Sequence, residues 1–284
     1  MRLSQLGELG LLAELARRGL AEGIEHDAAE VEGLVVTQDT LVEAVHFRLD
    51  WMSFRDLGFR AAAVNLSDLA ASGADPIALI VSLAAPGETS VESVLELYEG
   101  LGEPGVPIRG GDTTESDRLM LTVTALGRSE RVPGRAGARP GDLLVVTGPL
   151  GAAGAAFREQ RYLRPPLRLD EGRELARHAH AMLDLSDGIA PDAGHIAHRS
   201  GCRCLVELER VPLAPGATLD DLGFGEDYEL LAAVEDPGRF PAVGRCEEGE
   251  GVTMLLRGEP VGLPGWEHFL QGGRALPGGS LASE

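Results

Sequence analysis

The sequence contains no lysine, and all 25 of its basic residues are arginine. This absence excludes a phosphate-binding loop of the kind that depends on lysine, and it also excludes a Schiff-base mechanism. A GC-rich coding sequence explains the absence better than selection at one site does. Recognition of an anionic ligand is therefore left to arginines, backbone amides and bound cations.

Cysteine and long apolar runs are scarce as well. The three cysteines, Cys202, Cys204 and Cys246, include no CxxC pair, which favours incidental thiols of an intracellular protein over a zinc or redox site. No apolar stretch approaches the roughly 20 residues that span a membrane. The N-terminal segment predicts an amphipathic helix over 4–19 and not a signal peptide. We therefore expect a cytoplasmic protein without a membrane partner.

The balance of charge is strongly acidic. Forty-five Asp and Glu residues give the chain a net charge of −20 and a pI near 4.7. Surfaces that bind nucleic-acid backbones collect basic residues, so no nucleic-acid partner is expected. An acidic chain that handles phosphates needs metal cations.

Helix and strand signals alternate along most of the 284 residues, a length that allows two domains with separate cores. Helices are predicted at 4–19, from Ser53 to Gly73, near 90–102, at 170–181 and at 190–200. Strands are predicted at 33–41, 77–85, just before GGDTT, 119–127, at the start of 143–157, 203–209, 228–234 and 252–256. The stretch 129–142 is rich in Gly, Pro and Arg, as connections are. It predicts domains at 1–130 and 131–284, with a disordered tail after about 271.

One glycine-rich turn could bind an anion. The run TGPLGAAG, 147–154, follows a predicted strand and opens a predicted helix, a geometry that can present backbone N–H groups. Its spacing is not GxGxxG, and no partner acid follows about 20 residues later. A structural turn is the favoured interpretation, and an anion site is the alternative.

Aspartates in unexpected places give a stronger signal. The six are Asp27, Asp39, Asp68, Asp112, Asp184 and Asp187. Asp68 lies in a predicted helix of small apolar residues, and Asp39 is predicted to close an apolar strand. A buried carboxylate is costly unless it is paired or bound to a metal, and too few bases lie nearby to pair all six. The set favours oxygen-rich Mg²⁺ sites of the kind used in phosphoryl transfer.

Each of these aspartates also has a local interpretation. Asp39 can form a turn with Thr40, Asp187 can cap the helix that follows it, and Asp68 can hydrogen-bond within its own helix. For any single aspartate the two interpretations are about equally good. The six aspartates together, in a chain without lysine, favour the metal-binding interpretation.

Other candidate residues have structural interpretations by default. On spacing alone, His46 is a half-buried strand residue, and Trp266 is a core anchor of a C-terminal segment. GEDYELL, 225–231, predicts a hairpin or strand entry with solvated acids. Arg135 in the connection is solvated by default, but it could reach a phosphate if the connection folds across a cleft.

The segments that carry these residues resemble, in the same order, those of the thiamine-monophosphate kinase family. That family belongs to a superfamily with aminoimidazole ribonucleotide synthetase, selenophosphate synthetase and a hydrogenase maturation dehydratase. The matching segments are DAA (27–29), TQDTLVEAVHF (37–47), DLGFRAAAVNLSDLAASGADP (56–76), GGDTT (110–114), RAGARPGDLLVVTGPLG (135–151), LDLSDGI (183–189), DAGHIAHRSG (192–201), GEDYELL (225–231) and GWEHF (265–269). They extend over nearly the whole chain.

The resemblance implies an α+β fold with two αβ domains. In the family, strands of the N-terminal domain pair across a homodimer into a β-barrel, and a C-terminal α/β domain lies over the nucleotide. The implied reaction is the ATP-dependent phosphorylation of thiamine monophosphate to thiamine diphosphate, by direct in-line transfer with several Mg²⁺ ions. ATP is the co-substrate, and no covalent enzyme intermediate is implied.

The resemblance also implies roles for particular residues. The metal-binding positions are Asp27, Thr37, Gln38, Asp39, Asp68, Asp112, Asp184 and Asp187. The positions that contact ATP are Tyr98, Gly111, Asp112, Arg135 and Ser186. On the thiamine monophosphate side lie His46, Glu226 and Trp266, where an aromatic face can stack on the cationic thiazolium ring and a carboxylate can balance its charge.

The chain departs from the family pattern at three places. His26 precedes Asp27 where two consecutive aspartates are usual, Gln38 stands where Ser or Thr is usual, and Phe224 replaces a glycine. The chain is also shorter than most relatives, chiefly in its second half. These departures leave two alternatives open: another ATP-dependent enzyme of the superfamily, or a nucleotide-binding protein that has lost catalysis.

Overall fold

The computed structural model describes residues 2–23, 26–263 and 265, which form a mixed α+β fold with two β-sheets and six α-helices. The α+β class predicted from the sequence is confirmed. The described single chain contains no closed barrel. None of its helices combines the length and the apolar character that crossing a membrane requires.

The helices begin largely where the sequence predicts. They are α1 (Leu3–Arg17), α2 (Phe54–Ala71), α3 (Val91–Gly102), α4 (Ala152–Arg158), α5 (Leu169–Ala176) and α6 (Ile189–Ser200). Ser53 caps α2 by accepting a hydrogen bond from the Asp56 backbone N–H, and Ser90 caps α3 in the same way. Helix α5 is shorter than predicted, because the chain enters a strand at Ala181.

The first half of the chain forms a five-stranded sheet. Its strands are β1 (Ala29–Val31), β2 (Leu34–Val42), β3 (Asp75–Ala85), β4 (Ile108–Glu115) and β5 (Met120–Arg128), in the spatial order β1-β2-β5-β3-β4. Strand β4 contains GGDTT, which was predicted to follow a strand. Strand β2 continues to Val42, so Asp39 lies within it; the prediction that Asp39 closes the strand is wrong.

The second half forms a seven-stranded sheet. Its strands are β6 (Leu143–Val146), β7 (Ala181–Asp184), β8 (Arg203–Glu207), β9 (Leu230–Val234), β10 (Ala242–Glu247), β11 (Gly251–Leu256) and β12 (Glu259–Val261), in the order β12-β11-β8-β10-β6-β9-β7. Three of these strands were not predicted from the sequence: the short strands β1 and β12, and β10, which contains Gly244 and Arg245.

Helix α2 connects the two halves of the structure. Thirteen of its residues are buried, and it contacts β2 and β5 of the first sheet as well as β7 and β9 of the second. Leu57, Leu66 and Leu69 are fully buried, and each contributes roughly 1.5–3 kcal/mol relative to exposure. The sheets have separate apolar cores. The division into domains at about residue 130 stays a prediction.

Two glycines allow α2 and α3 to pack closely. A Cβ atom added to Gly58 would overlap the backbone oxygen of Leu97, and one added to Gly100 would overlap the backbone oxygen of Arg55. Because both obstacles are helix backbone, a side chain at either position would push the helices apart.

We expect Gly100→Ala to lower the free energy of unfolding by about 1–3 kcal/mol, since the added methyl group must separate α2 from α3. Gly102→Ala is the matched control in the same helix, because no atom lies within 4 Å of its added Cβ. Alanine there should be neutral or stabilising by up to about 1 kcal/mol. Denaturant unfolding measures both; equal changes would contradict the close packing at Gly100.

Candidate active site

A cavity of about 1420 Å³ is lined by both halves of the chain. The first half contributes Thr37 and Asp39 from β2 and Asp68 from α2. The second half contributes Asp184 at the end of β7 and Ser186 in the turn before α6. Residues from distant parts of the sequence therefore meet in one concave space that carries both acids and arginines, as expected of a ligand site.

Three carboxylates form the centre of this cavity, and we call Asp27, Asp68 and Asp184 the carboxylate cluster. One oxygen from each lies within 4.8 Å of the others. The Ser67 hydroxyl donates to Asp184 Oδ2 over 2.6 Å, and the Thr37 hydroxyl donates to Asp68. These hydroxyls fix two of the carboxylates in orientation.

Burial and mutual repulsion make the ionised cluster unfavourable. Burial, followed by the charges of Asp39, Asp184 and Asp27, raises the pKa of Asp68 well above its ordinary value. Burial and the charge of Asp27 raise the pKa of Asp184 to about 8. Burial raises the pKa of Asp39 to about 6, although a hydrogen bond with Asp68 opposes the increase. Buried carboxylates that repel one another are a donor set suited to a hard divalent cation.

Arg135 is paired with the carboxylate cluster. Its Nε lies 2.9 Å from Asp27 Oδ1, and its Nη2 donates to the same oxygen. His26 accepts a hydrogen bond from the Arg135 backbone N–H over 3.3 Å. The connection therefore folds against the cavity, and the default interpretation of Arg135 as a solvated residue is wrong.

A second group of possible ligands lies on the other side of the turn that contains Ser186. Ligand atoms of Asp187, Asp192 and His195 lie within 4.8 Å of one another. Asp192 is buried, and its Oδ2 accepts hydrogen bonds of 3.1 Å from the backbone N–H groups of Asp187 and Gly188. Asp192 and His195 were not predicted as site residues, although residues three apart on a helix lie on the same face.

The segment GEDYEL holds three acids in three different environments. Gly225, Glu226 and Tyr228 all have positive φ values, of 82°, 60° and 50°. Glu226 pairs with Arg60, and its backbone N–H donates to the Ser186 oxygen. Asp227 and Glu229 are buried, so the prediction of solvated acids is wrong for them.

Asp227 occupies the turn that could have bound an anion. Its carboxylate accepts hydrogen bonds from the backbone N–H groups of Gly151, over 2.7 Å, and of Ala153, over 3.4 Å, at the start of α4. The N-terminus of this helix is thus capped by the protein itself. This arrangement supports the structural interpretation of TGPLGAAG.

An aromatic cluster, formed by Trp51, Phe157 and Phe224, lines the cavity. The ring centroids of Trp51 and Phe157 are 5.6 Å apart, and those of Phe157 and Phe224 are 4.7 Å apart. Phe224 is one of the three residues at which the sequence departs from the family that it resembles. Because the rings come from three distant segments, no spacing in the sequence could reveal the cluster.

His46 also lines the cavity, and Trp266 lies outside the described residues. His46 sits in a turn that follows Ala44, which has a positive φ of 63°, so its prediction as a strand residue is wrong. Its Nδ1 accepts a hydrogen bond from the Val42 backbone N–H over 3.0 Å.

Three of the predicted site residues do not line this cavity within the described single chain: Tyr98, Gly111 and Asp112. Gln38 lines the cavity, but it alternates along β2 with Thr37 and Asp39, and its amide donates to Thr124 Oγ1 over 2.7 Å. Asp112 on β4 pairs with Ser82 on β3. Ser82 pairs in turn with Thr122 on β5, and Thr122 pairs with Thr40 on β2. Three strand spacings, about 14 Å, therefore separate Asp112 from β2.

Tyr98 lies on the other side of the first sheet from Gln38. It packs against the apolar core there and lines a small cavity with Leu83 and Thr114. Nothing in the described single chain connects this cavity to the acidic one.

The three cysteines meet in the core of the second sheet, a grouping that their spacing did not predict. Their sulfur atoms lie within 4.8 Å of one another, and Cys204 and Cys246 are directly opposite on β8 and β10. Burial raises the pKa of Cys202 to about 11, which favours a neutral thiol. The apolar surroundings of the three thiols favour an incidental role, which stays a prediction.

Comparisons with known proteins agree with this architecture. The model of the family "AIR synthase related protein, N-terminal domain" matches residues 25–129. The chain is 33% identical to the thiamine-monophosphate kinase of Aquifex aeolicus strain VF5, over 95% of this chain and 100% of that protein. It is 33% identical to the Escherichia coli K12 enzyme of the same name, over 93% of this chain and 98% of that protein.

Solved structures give the same result. A structure described as AaThiL complexed with AMPPCP and TMP has a TM-score of 0.87 at 33% identity, over 94% of this chain and 99% of that one. The HypE–HypF complex contains a chain with a TM-score of 0.74 at 19% identity, over 89% of this chain and 99% of that one, which shows a shared fold alone. Identity above 30% over nearly the full length decides the family. The chain belongs to the thiamine-monophosphate kinase family, among the proteins related to AIR synthase.

Proposed function

We propose that this protein transfers the γ-phosphoryl group of ATP to thiamine monophosphate and so produces thiamine diphosphate and ADP. The observation that carries the proposal is the carboxylate cluster in a cavity lined by both halves of the chain. A similar structure is described with AMPPCP and TMP, an ATP analogue and a substrate together. The family and the chemistry of the site thus support the same reaction.

The side chains of the cavity fit divalent cations. The oxygen donors come from Asp27, Asp39, Asp68 and Asp184, and Thr37 lines the cavity beside them. Asp187 belongs to the second group of possible ligands. Bound Mg²⁺ supplies positive charge between phosphate groups that repel one another. No lysine is present to supply that charge, so the carboxylates are needed to bring cations to the site.

The protein's part in the reaction is to position the two substrates. An oxygen of the thiamine monophosphate phosphate attacks the γ-phosphorus of ATP in line, the bond to the bridging oxygen breaks, and ADP leaves. Arg135 and Ser186 contact the phosphates of ATP, and His46, Glu226 and Trp266 contact thiamine monophosphate. Because the acceptor phosphate is already ionised at neutral pH, no general base is required.

A homodimer would complete the site. Strand β1 pairs only with Leu34–Val36, so the rest of the β2 edge is unpaired in the described chain, as is the outer edge of β4. If β4 of one subunit pairs with β2 of the other, the two sheets close into the barrel expected of the family. Asp112 and Gly111 then lie beside Gln38 and Asp39 of the partner subunit's site.

The direct test is to incubate the purified protein with ATP, Mg²⁺ and thiamine monophosphate, and to follow products by chromatography. We expect thiamine diphosphate and ADP in equal amounts, and no phosphorylation of free thiamine, which lacks the acceptor phosphate. Binding of ATP without any product would contradict the proposal and would favour a protein that has lost catalysis. Product from another phosphorylated acceptor alone would favour a different enzyme of the superfamily.

If the protein forms this dimer, Asp68 and Asp112 of one active site come from different subunits. Asp68→Asn and Asp112→Asn should each lower turnover at least about 100-fold, since each removes a proposed ligand of the cations that stabilise the transition state. When the two variants are mixed and allowed to exchange subunits, half of the dimers become mixed, and one site in each mixed dimer is intact. Activity should return to roughly a quarter of wild type.

The matched control for this experiment is a mixture of Asp68→Asn with Asp184→Asn, whose residues share one chain's cavity. This mixture should stay inactive. No recovery in the first mixture, despite confirmed subunit exchange, would show that Asp112 does not act in the partner's site.

The raised pKa values predict how stability changes with pH when a chelator removes metals. The pKa values of Asp39 and Asp184 are about 6 and about 8 in the folded chain, against about 4 when unfolded. The folded state therefore holds protons that the unfolded state has lost, and stability falls as the pH rises from 4 to 8. The melting temperature in chelator should be several degrees lower at pH 8.5 than at pH 5.5.

Excess Mg²⁺ should raise the melting temperature more at pH 8.5 than at pH 5.5, because the cation replaces protons on the same oxygens. Asp68→Asn serves as the control, since it removes one repelling carboxylate and should flatten the pH dependence in chelator. A wild-type melting temperature that does not change with pH would contradict the account of a proton-holding carboxylate cluster.

A further inference from the structure

Asp192 is a buried acid to which the reaction described so far gives no part. It lies in the first turn of α6 and is only 2% exposed. Among the described residues, its neighbours Pro191 and Gly194 line the cavity, whereas Asp192 does not. A carboxylate buried in this way is costly unless it is hydrogen-bonded, so its partners indicate what it does.

The partners of Asp192 are two consecutive backbone amides. Its Oδ2 accepts hydrogen bonds of 3.1 Å from the N–H groups of Asp187 and of Gly188. Because these amides lie at the start of α6, the helix itself offers them no acceptor. One carboxylate oxygen therefore holds the turn formed by Ser186, Asp187 and Gly188, which we call the SDG turn.

The other side of the SDG turn is held by the segment before β9. The Ser186 backbone oxygen accepts a hydrogen bond from the Glu226 N–H over 2.8 Å. Gly225 has a φ of 82°, and a Cβ atom added to it would overlap the same oxygen. The turn is thus fixed on two sides, at its amides by Asp192 and at its carbonyl by the Gly225–Glu226 backbone.

The SDG turn carries two side chains that the proposed reaction needs. Ser186 and Asp187 both line the cavity. Because Asp192 holds the amide of Asp187, it also fixes the direction in which the Asp187 side chain leaves the backbone. A displacement of about 1 Å among groups that position a reacting phosphate can lower a rate about 100-fold. Asp192 is therefore placed to affect the reaction without touching a substrate.

We propose that Asp192 is a positioning residue for phosphoryl transfer, which holds the SDG turn so that Ser186 and Asp187 face the phosphates; this inference rests on the proposed function. Its part is to supply an acceptor oxygen at a fixed place. Since a single oxygen receives both amides, the uncharged oxygen of an asparagine can replace it.

Direct binding of a cation by Asp192 is the alternative. Ligand atoms of Asp187, Asp192 and His195 lie within 4.8 Å of one another, so the distances allow it. The two roles differ in what they require. A positioning residue needs only an oxygen that accepts the amides, whereas a cation ligand buried in this way needs the negative charge.

The test compares Asp192→Asn, which keeps the acceptor oxygen, with Asp192→Ala, which removes it. We expect Asp192→Asn to keep kcat within about threefold of wild type. Asp192→Ala should lower kcat about 10- to 100-fold and raise the KM for ATP, while the KM for thiamine monophosphate stays within about twofold. Initial rates of thiamine diphosphate formation, at varied concentrations of each substrate, measure all three constants.

A second measurement does not depend on turnover. Binding of Mn²⁺ in the presence of AMPPCP, followed by electron paramagnetic resonance, should be as tight in Asp192→Asn as in wild type. In Asp192→Ala it should be weaker by about tenfold or more, because Asp187 is no longer held in place. If Asp192→Ala does not fold, Asp192→Ser serves instead, since its shorter side chain cannot reach the two amides.

Asp142→Ala is the matched control. Asp142 is 3% exposed, its Oδ2 accepts a hydrogen bond of 2.7 Å from the Arg139 backbone N–H, and it does not line the cavity. We expect this variant to lower the free energy of unfolding and to keep kcat, both KM values and Mn²⁺ binding. A loss of stability alone therefore does not reproduce the changes expected of Asp192→Ala.

Two outcomes would overturn the proposal. One is a folded Asp192→Ala, or a folded Asp192→Ser, with wild-type kcat, KM for ATP and Mn²⁺ binding, which would leave Asp192 a role in stability alone. The other is an Asp192→Asn that loses Mn²⁺ binding as far as Asp192→Ala does, which would make Asp192 a direct ligand. Failure of wild type to phosphorylate thiamine monophosphate would instead overturn the proposed function, and Mn²⁺ binding would still test how the SDG turn is held.

Discussion

The burial of Asp27, Asp68 and Asp184 against one another is the constraint on which the rest of this structure depends. Burial opposes ionisation of all three groups, and repulsion adds to this effect at Asp68 and Asp184. Arg135 pairs with Asp27. The fold must hold the three together although they repel. It does so by placing Asp68 on the central helix α2 and Asp184 at the end of a fully buried strand.

The GEDYEL segment shows how one turn serves both the site and the fold. Asp227 caps α4, and Glu229 accepts hydrogen bonds from Thr147 and Arg168, so these two acids stabilise the second half of the chain. Glu226, which precedes both and has a positive φ, lines the cavity. The unfavourable backbone is offset by buried hydrogen bonds on both sides, and the result is a rigid wall for a ligand.

The sequence predicts features that depend on neighbouring residues and misses those that depend on tertiary structure. Ser53 and Ser90 cap helices because of local geometry, and the acids were noticed because carboxylates are unusual in apolar segments. Arg60, Asp192 and the aromatic cluster gain meaning only when distant segments meet. Gln38 faces away from Thr37 and Asp39 because side chains alternate along a strand.

The central claim is that the carboxylate cluster binds divalent cations for phosphoryl transfer. The most direct measurement is a titration with Mn²⁺, detected by electron paramagnetic resonance, of wild type and Asp184→Asn in the presence of AMPPCP. The account predicts that wild type binds Mn²⁺ and that the loss of one buried carboxylate weakens binding at least about tenfold. Identical binding curves for the two proteins would contradict it, because the cations would then be held elsewhere.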